Sequence, residues 1–524
     1  MTVWIVSREY AGIAEAGGVK NVTCALSENL VSLGHEVVLF IPLYGCSDLS
    51  SVEDLKKIDY SKNISAGFFS EKVNFYCGKI NGVKIIFVSS KSFKNKHGIY
   101  TYSLLDEKKN SEHKRNTAFE DATYLDVLFQ KAVVDFANTN YVKLPDIIHC
   151  QDATTALIPC LFKYSCEKNI FFENTKFVVT IHNAGPGYHH SFKTIEAARF
   201  YTGIPYTELK NALNGNEVEP FLLLTENTVL TTVSPQYANE IMSSTCDTGG
   251  LAKRFIEKKI TLTGITNGIQ FDRYNPENKN ISLLPFEFSP EKNNLEGKYL
   301  CRKNLIENFC NEKKHLFVKE LDFFGSLNEK KCSFADSVFV SYHGRIVHQK
   351  GTDLLAQAAD SLLSENENVK FIFMGQGHAE LENSLIYLTE KYPGQIVFFR
   401  GYSRSLARLA VASADFLVLP SFFEPCGLED FIGQLYGTIP LAHATGGLKK
   451  IIDEETGFLY YNNTADEIKY FLKNLLKIKL SEKDIFNTMI SYTARYVHNE
   501  FSWKSVVQNK YIPLYESLLN KKLF

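Results

Sequence analysis

The hydrophobic pattern alternates between short apolar runs and helical repeats, with glycine-bearing loops between them. An apolar, β-branched run over 3–7 predicts a strand, and a loop follows with Gly12 and the adjacent Gly17 and Gly18. Val22, Leu26, Leu30 and Leu33 then recur at spacings of three to four, which predicts a helix from near Val19 that Gly34 stops. A strand is expected over 37–41, completing a strand–glycine loop–helix–strand unit of a parallel α/β sheet. Further strands are predicted over 84–88, 146–149, 176–181 and 230–233, the last closing this half, with a long helix over 118–136. All are read as short apolar runs, as expected where helices cover both faces of a sheet.

The same pattern restarts after residue 336. Strands are predicted over 337–342, 369–374, 395–399, 416–419 and 439–442, with a helix over 353–363. The fold class is therefore α/β, with two doubly wound halves. The first half is assigned to 1–265 and the second to 266–500, joined near Thr266-Asn267-Gly268. Residues 276–335 are polar, rich in Lys, Glu and Asn and poorly periodic, and part of them is read as a surface insertion. Within it, 312–314 and 329–331 read as solvated charged faces. The final stretch, 501–524, is expected to be helical from Trp503 and to pack back on the first half.

Composition narrows the function classes. The 57 basic and 59 acidic side chains give a net charge of −2, which excludes a strongly basic nucleic-acid binder and an acidic tail protein. No apolar run reaches the roughly 18 residues of a membrane-spanning helix, and no basic stretch with an apolar segment and cleavage site marks a secretory signal. The 11 cysteines are scattered without a CxxC pair, which predicts reduced thiols in a cytoplasmic protein. No Cys/His cluster has zinc spacing, and the adjacent His189 and His190 are read as weak metal ligands without nearby partners.

Doubly wound sheets bind ligands at the carboxyl ends of their strands, so residues just after strands are the candidates for chemistry. In Ala14-Glu15-Ala16-Gly17-Gly18-Val19, adjacent glycines let backbone amides approach an anion at a helix N-terminus; a plain tight turn is the competing reading. His182-Asn183 follows a strand, where a neutral imidazole can hydrogen-bond a hydroxyl or carbonyl; a structural histidine is the competing reading. Gly344-Arg345 and Lys350-Gly351 place two cations five positions apart in a glycine-flanked loop, a pattern suited to a diphosphate. In the segment from Ser421 to Leu428, Glu424 is a carboxylate for sugar hydroxyls beside a helix start. Gly446-Gly447-Leu448 repeats a glycine turn one strand later.

Five segments occur in one order: Thr231-Thr232-Val233-Ser234-Pro235, Thr266-Asn267-Gly268, Gly344-Arg345 with Gln349-Lys350-Gly351, Glu424-Pro425-Cys426-Gly427-Leu428, and Thr445-Gly446-Gly447. This ordered set resembles the bacterial glycogen synthase and plant starch synthase family, over nearly the whole chain. The resemblance implies a GT-B glycosyltransferase, two Rossmann-like domains facing a deep cleft. Such an enzyme moves glucose from a nucleotide-sugar, expected to be ADP-glucose with UDP-glucose as second candidate, to the non-reducing end of an α-1,4-glucan. It retains anomeric configuration and uses neither metal nor cofactor. By matching motif, Arg345 and Lys350 would hold the departing diphosphate, Glu424 would contact the transferred glucose or its acceptor environment, and His182 would touch the sugar near the reacting carbon. Amides near Gly427 and Leu428 would bind the distal phosphate, Cys426, Thr445 and Gly446 would join the substrate-binding set, Tyr402 would flank the base, and Asn267 matches the linker asparagine. Asp152, with Glu15, Gly17, Gly18 and Asn183, completes the substrate-binding set. Partners would be the donor and the glucan, with no nucleic acid and no membrane.

The chain departs from the family pattern at four places. Glu15 stands where Lys is usual, Asn21 where Asp is usual, and Ala184-Gly185-Pro186-Gly187-Tyr188 replaces an aromatic-Gln-Gly run. Ala153 also replaces the usual Trp after Asp152. An anion at position 15 near a diphosphate costs electrostatic energy unless it is turned away or bonded. Two alternatives follow: a retaining GT-B transferase with another donor or a small acceptor, and a low-activity glucan-binding homologue. A hydride-transferring dehydrogenase is disfavoured because no GxGxxG follows the first strand.

Overall fold

A computed structural model of the chain describes residues 1–165, 174–311, 318–319, 321–329, 333–365 and 367–520. The chain divides into two compact units, Met1–Asn267 with Trp503–Phe524, and Gly268–Ser502. The first carries strands β1 (Thr2–Val6), β2 (Glu36–Pro42), β3 (Glu53–Ala66), β4 (Phe69–Ile80), β5 (Val83–Ser89), β6 (Ile147–Gln151), β7 (Lys176–Ile181), the short pair β8 (Leu213–Asn214) and β9 (Glu217–Val218), β10 (Thr228–Thr232) and β11 (Leu262–Gly264). Its nine-stranded sheet runs β11-β10-β7-β6-β1-β2-β5-β4-β3. Pairing is parallel from β11 to β5 and antiparallel through β4 and β3. Every residue of β1, β6 and β7 is buried, because helices cover both faces.

The second unit carries β12 (Leu321–Gly325), β13 (Val338–His343), β14 (Val369–Gly375), β15 (Ile396–Gly401), β16 (Phe416–Leu419), β17 (Ile439–His443) and β18 (Phe458–Tyr460) in the order β12-β15-β14-β13-β16-β17-β18. Of these, only β12 is antiparallel. Alternate side chains leave opposite faces of a strand. Val338, Val340, Phe371 and Phe373 accordingly join the core beneath the helix Thr352–Ser364, while Phe339, Ile372, Val397 and Phe399 join the core beneath the helix Arg404–Ser413.

Counted along the chain, the parallel strands of both sheets run 3-2-1-4-5-6 in space, with β11 added as a seventh in the first unit. The order reverses between β1 and β6 in one unit and between β13 and β16 in the other. The crevice at the carboxyl ends of such neighbouring strands is where doubly wound sheets take ligands.

Several expectations are corrected. Not all strands are short apolar runs. β3 and β4 form a hairpin of 14 and 12 residues at the sheet edge, with β3 largely exposed and interrupted by register shifts. Its lysines, glutamates and bulges suit an unpaired edge, which must resist pairing with other chains. The first half also does not close at β10, since β11 extends it. Within 276–335, the helix Glu296–Phe309 and β12 help build the second unit rather than a separate insertion. Leu284, Phe288, Cys301, Leu305, Leu321 and Leu327 all lie in the second unit's core. The 312–314 cluster and Lys330-Lys331 lie outside the described residues. The C-terminal stretch is helical over Trp503–Val506 and Ile512–Asn520, and the Tyr515 hydroxyl lies 2.7 Å from His149 Nδ1 on β6.

Candidate active site

In the first unit, the loop after β1 leads into the helix Val19–Ser32 with Gly18 as its cap. The anion at this helix start is the chain's own. Buried Glu9 accepts from the Ala16 amide at 2.9 Å and the Gly17 amide at 2.6 Å, as the partial positive charge of a helix N-terminus favours. Glu15 is tied locally: its carboxylate accepts from the Gly12 amide at 2.7 Å and pairs with Lys20 Nζ at 2.7 Å. This anion is thus neutralised by a cation five residues on.

Asp152 follows β6, across the switch point from β1. Its φ of +67° and ψ of 177° lie in a region that is nearly exclusive to glycine and costs ~1–3 kcal/mol. Its Oδ1 is buried without a hydrogen-bond partner. Burial pushes its carboxyl up to about 7, although the His190 imidazole and the backbone amides of His182 and Ala153 pull it down. His182 follows β7. Its Nε2 donates to Gln151 Oε1 at 2.8 Å, and burial pushes the imidazole down to about 4, so the ring is neutral at physiological pH. Asn183 accepts from the Gly185 amide at 2.9 Å and shapes the following turn. Asn267 is buried, with Oδ1 unpartnered.

His189 and His190 each have an ion-pair partner from distant sequence. His189 pairs with buried Glu219 at 2.8 Å and His190 with Asp126 at 2.8 Å. Asp126 also pairs with the buried Arg8 guanidinium, whose Nε donates to the Tyr44 hydroxyl at 2.7 Å. Sequence reasoning misses Arg8, Glu9, Asp126 and Gln151. Only the position of Arg8, Glu9 and Gln151 at strand ends signals them.

In the second unit, the loop after β13 carries Arg345 and Lys350. Gly351, at φ +66°, lies so near the β16 loop that an added Cβ would meet Pro420 O at 2.0 Å. The Phe422 amide donates to Gln349 O at 2.9 Å, tying the two loops together. This brings Lys350 Nζ into an ion pair with Glu424, which also accepts from Ser421 Oγ at 3.4 Å. Arg345 is exposed, and its Nη2 donates to Gln349 Oε1 across a long 3.4 Å, a contact weak enough for the guanidinium to exchange for a ligand.

The Cys426-Gly427 turn precedes a seven-residue helix, Glu429–Leu435, with Leu428 at its cap. Its first-turn carboxylates are already paired, Glu429 with His343 at 2.8 Å and Asp430 with Lys450 at 2.9 Å. Lys450 also donates to the carbonyls of Cys426 at 2.6 Å and of Gly427 and Gly447 at 3.1 Å, lashing this turn to the glycine turn after β17. Gly447 packs so tightly that a Cβ would meet Cys426 O at 2.1 Å. In the same turn, Thr445 Oγ1 donates to Phe422 O at 3.2 Å and Gly446 adopts φ +46°. Exposed Tyr402 lies over His343, with ring centroids 6.3 Å apart and planes 27° apart. Sequence reasoning also misses Lys450, His343 and Glu429, although Lys450 closes the Gly446-Gly447-Leu448-Lys449-Lys450 run.

The comparisons with known proteins agree with this architecture. The starch synthase catalytic domain family matches residues 2–256, and the glycosyl transferases group 1 family matches residues 326–492. Glycogen synthase of Flavobacterium johnsoniae is 30% identical, with 100% of each chain covered. Glycogen synthase of Thermodesulfovibrio yellowstonii is 29% identical, covering 100% of this chain and 99% of the relative. The catalytic domain of starch synthase IV from Arabidopsis thaliana, bound to ADP and acarbose, superposes with a TM-score of 0.77 at 22% identity, with 99% of each chain covered. Two doubly wound sheets with their loops at matching switch points, and full-length likeness to these relatives, make this chain a GT-B glycosyltransferase that belongs to the glycogen synthase family.

Proposed function

We propose that the chain transfers glucose from ADP-glucose to the non-reducing end of an α-1,4-glucan with retention of configuration. The observation that carries this reading is the Lys350–Glu424 pair beside exposed Arg345, at the carboxyl ends of β13 and β16. As the glycosidic bond to the diphosphate breaks, negative charge grows on the leaving oxygens. Fixed cations stabilise that charge more in the transition state than in the ground state, and this difference accelerates the reaction. Lys350 has three N–H donors, of which Glu424 takes one, leaving donors for phosphate. Arg345 adds a planar fork suited to two phosphate oxygens. The turn at Cys426, Gly427 and Leu428 and the Thr445-Gly446 turn flank the distal phosphate, and Tyr402 offers its face to the base. Glu424 receives sugar hydroxyls.

On the first unit, neutral His182 keeps Nδ1 as an acceptor once Nε2 donates to Gln151. Asp152 offers an unpartnered oxygen to a hydroxyl. Gly17, Gly18 and Glu15 shape the adjacent loop, and Asn183 and Asn267 complete the set. The starch synthase IV structure holds ADP and acarbose, which supports adenine as the base and a glucan as acceptor. The described cysteines are all thiols outside any disulfide, which supports a cytoplasmic setting.

The test is a side-by-side assay of ADP-glucose and UDP-glucose with glycogen as acceptor. ADP-glucose should extend the polymer faster. Each of Arg345→Ala and Lys350→Met should lower kcat by about 10²–10³-fold, and the double variant should abolish transfer while its circular dichroism stays native. Full turnover in a folded double variant would overturn the assignment. Transfer of a single glucose to a small acceptor would favour the other-donor or small-acceptor reading.

A further inference from the structure

A second cluster lies on the same unit, outside the residues assigned to the donor. His348 is in the short turn His348–Lys350, His378 caps the helix Ala379–Lys391, and Glu380 lies in that helix's first turn. All three are exposed, and one ligand atom from each lies within 4.8 Å of the other two. The two backbone segments that carry them are locked together. The Ile346 amide donates to Gln376 O at 3.0 Å and the His378 amide to Ile346 O at 2.8 Å. A Cβ on Gly377 would meet Ile346 O at 2.0 Å. The cluster is therefore presented by rigid, paired backbone, as a preorganised ligand set requires.

His348 faces two carboxylates at once, Asp353 Oδ2 at 3.2 Å from Nδ1 and Glu380 Oε1 at 3.0 Å from Nε2. A neutral imidazole has one N–H and satisfies only one of them. A cation, either the second ring proton or a metal ion in its place, therefore sits between Nε2 and Glu380 Oε1. A carboxylate on the far nitrogen is also what orients a metal-bound histidine. Two imidazole nitrogens and one carboxylate oxygen form a three-ligand set typical of zinc with a water in the fourth position, and ligand atoms in such a tetrahedron lie ~3.3 Å apart. His348 Nε2 and Glu380 Oε1 lie 3.0 Å apart, and the His378 ligand atom lies within 4.8 Å of both, so a metal would draw the three together.

We infer that His348, His378 and Glu380 bind one divalent metal of the zinc class, with Asp353 orienting His348. The metal would bridge the turn that ends in Lys350 to the start of the helix Ala379–Lys391, stiffening the loop that carries Arg345 and Lys350. The inference rests on these ligands alone and so stands independently of the donor. The sequence hides this site because its two histidines are 30 positions apart.

The test uses the untagged full chain, stripped of metal by dialysis against EDTA and then titrated with Zn²⁺ by calorimetry and with Co²⁺ by visible absorption. One equivalent should bind with micromolar or tighter affinity, and the cobalt spectrum should lack the thiolate charge-transfer band that exposed Cys46 would produce. His378→Asn and Glu380→Gln should each weaken Zn²⁺ at least tenfold, and Asp353→Asn about 10–100-fold. Melting of the metal-free variants, unchanged from wild type, separates loss of ligands from loss of fold. Wild-type affinity in His378→Asn and Glu380→Gln, a thiolate band, or no saturable binding at 100-fold excess metal (~100 equivalents, where a specific site would be filled) would overturn the inference.

Discussion

Asp152 shows what a single residue contributes. It combines a backbone conformation that favours glycine, a buried unpartnered oxygen and a carboxyl pushed up to about 7 from 3.8. Strain and desolvation kept at one position are expected where a side chain must meet a substrate rather than the protein. The effect on stability follows in sign. The folded state holds this proton more tightly than the unfolded chain, so the group's contribution is full below about pH 4 and is lost as pH rises through about 7. Asp152→Asn removes that loss. Its advantage over wild type in urea melts should be near zero at pH 4 and grow to roughly 2–4 kcal/mol at pH 8, because each tenfold gain in proton affinity is worth ~1.4 kcal/mol. Equal differences at both pH values would show that the carboxylate is solvated. The desolvated imidazoles act in the opposite direction: His149 is pushed down to about 3 and His182 to about 4, so each contributes stability that is lost as pH falls below about 6.5.

At the scale of elements, close backbone approaches help hold the second unit's candidate loops, alongside the Lys450 and Lys350 side chains. Gly351 against Pro420, Gly377 against Ile346 and Gly447 against Cys426 are approaches that no Cβ fits. Gly447→Ala should therefore displace the Cys426-Gly427 turn. We expect a loss of ~1–3 kcal/mol in stability, as for overpacking elsewhere, and a rise of at least tenfold in the donor KM with a smaller change in kcat. A KM equal to wild type would remove this turn from the donor site. Elements also explain the largest misreading. The helix Glu296–Phe309 buries Lys298 and Arg302 along with Cys301 and Leu305. Lys298 Nζ donates to the carbonyls of Ala412, Ala414 and Tyr436, and Arg302 pairs with buried Asp415. Charged residues on the inward face erase the apolar periodicity that marks a helix, so the segment reads as polar surface. β4 carries a legible signal, because Val73, Phe75 and Cys77 alternate inward, but the charged residues of its partner β3 carry none.

At the scale of the whole molecule, the second unit is self-sufficient. Both of its core clusters consist of its own residues, and so do the proposed diphosphate ligands. Residues 268–502 expressed alone should melt cooperatively and bind ADP in calorimetry, with binding abolished by Arg345→Ala combined with Lys350→Met. A folded fragment that ignores ADP would move the donor site elsewhere. The order of motifs, the strands that end in them and the two doubly wound halves are readable from sequence, because apolar runs, glycine turns and ionic side chains are local properties of the chain. Tertiary structure alone decided which groups meet. Lys350 finds Glu424 across 74 positions, Arg8 finds Asp126 across 118 and His190 finds Asp126 across 64. These pairings depend on the spatial order of strands, which places the first strand of each half beside the fourth, and local patterning does not encode that order.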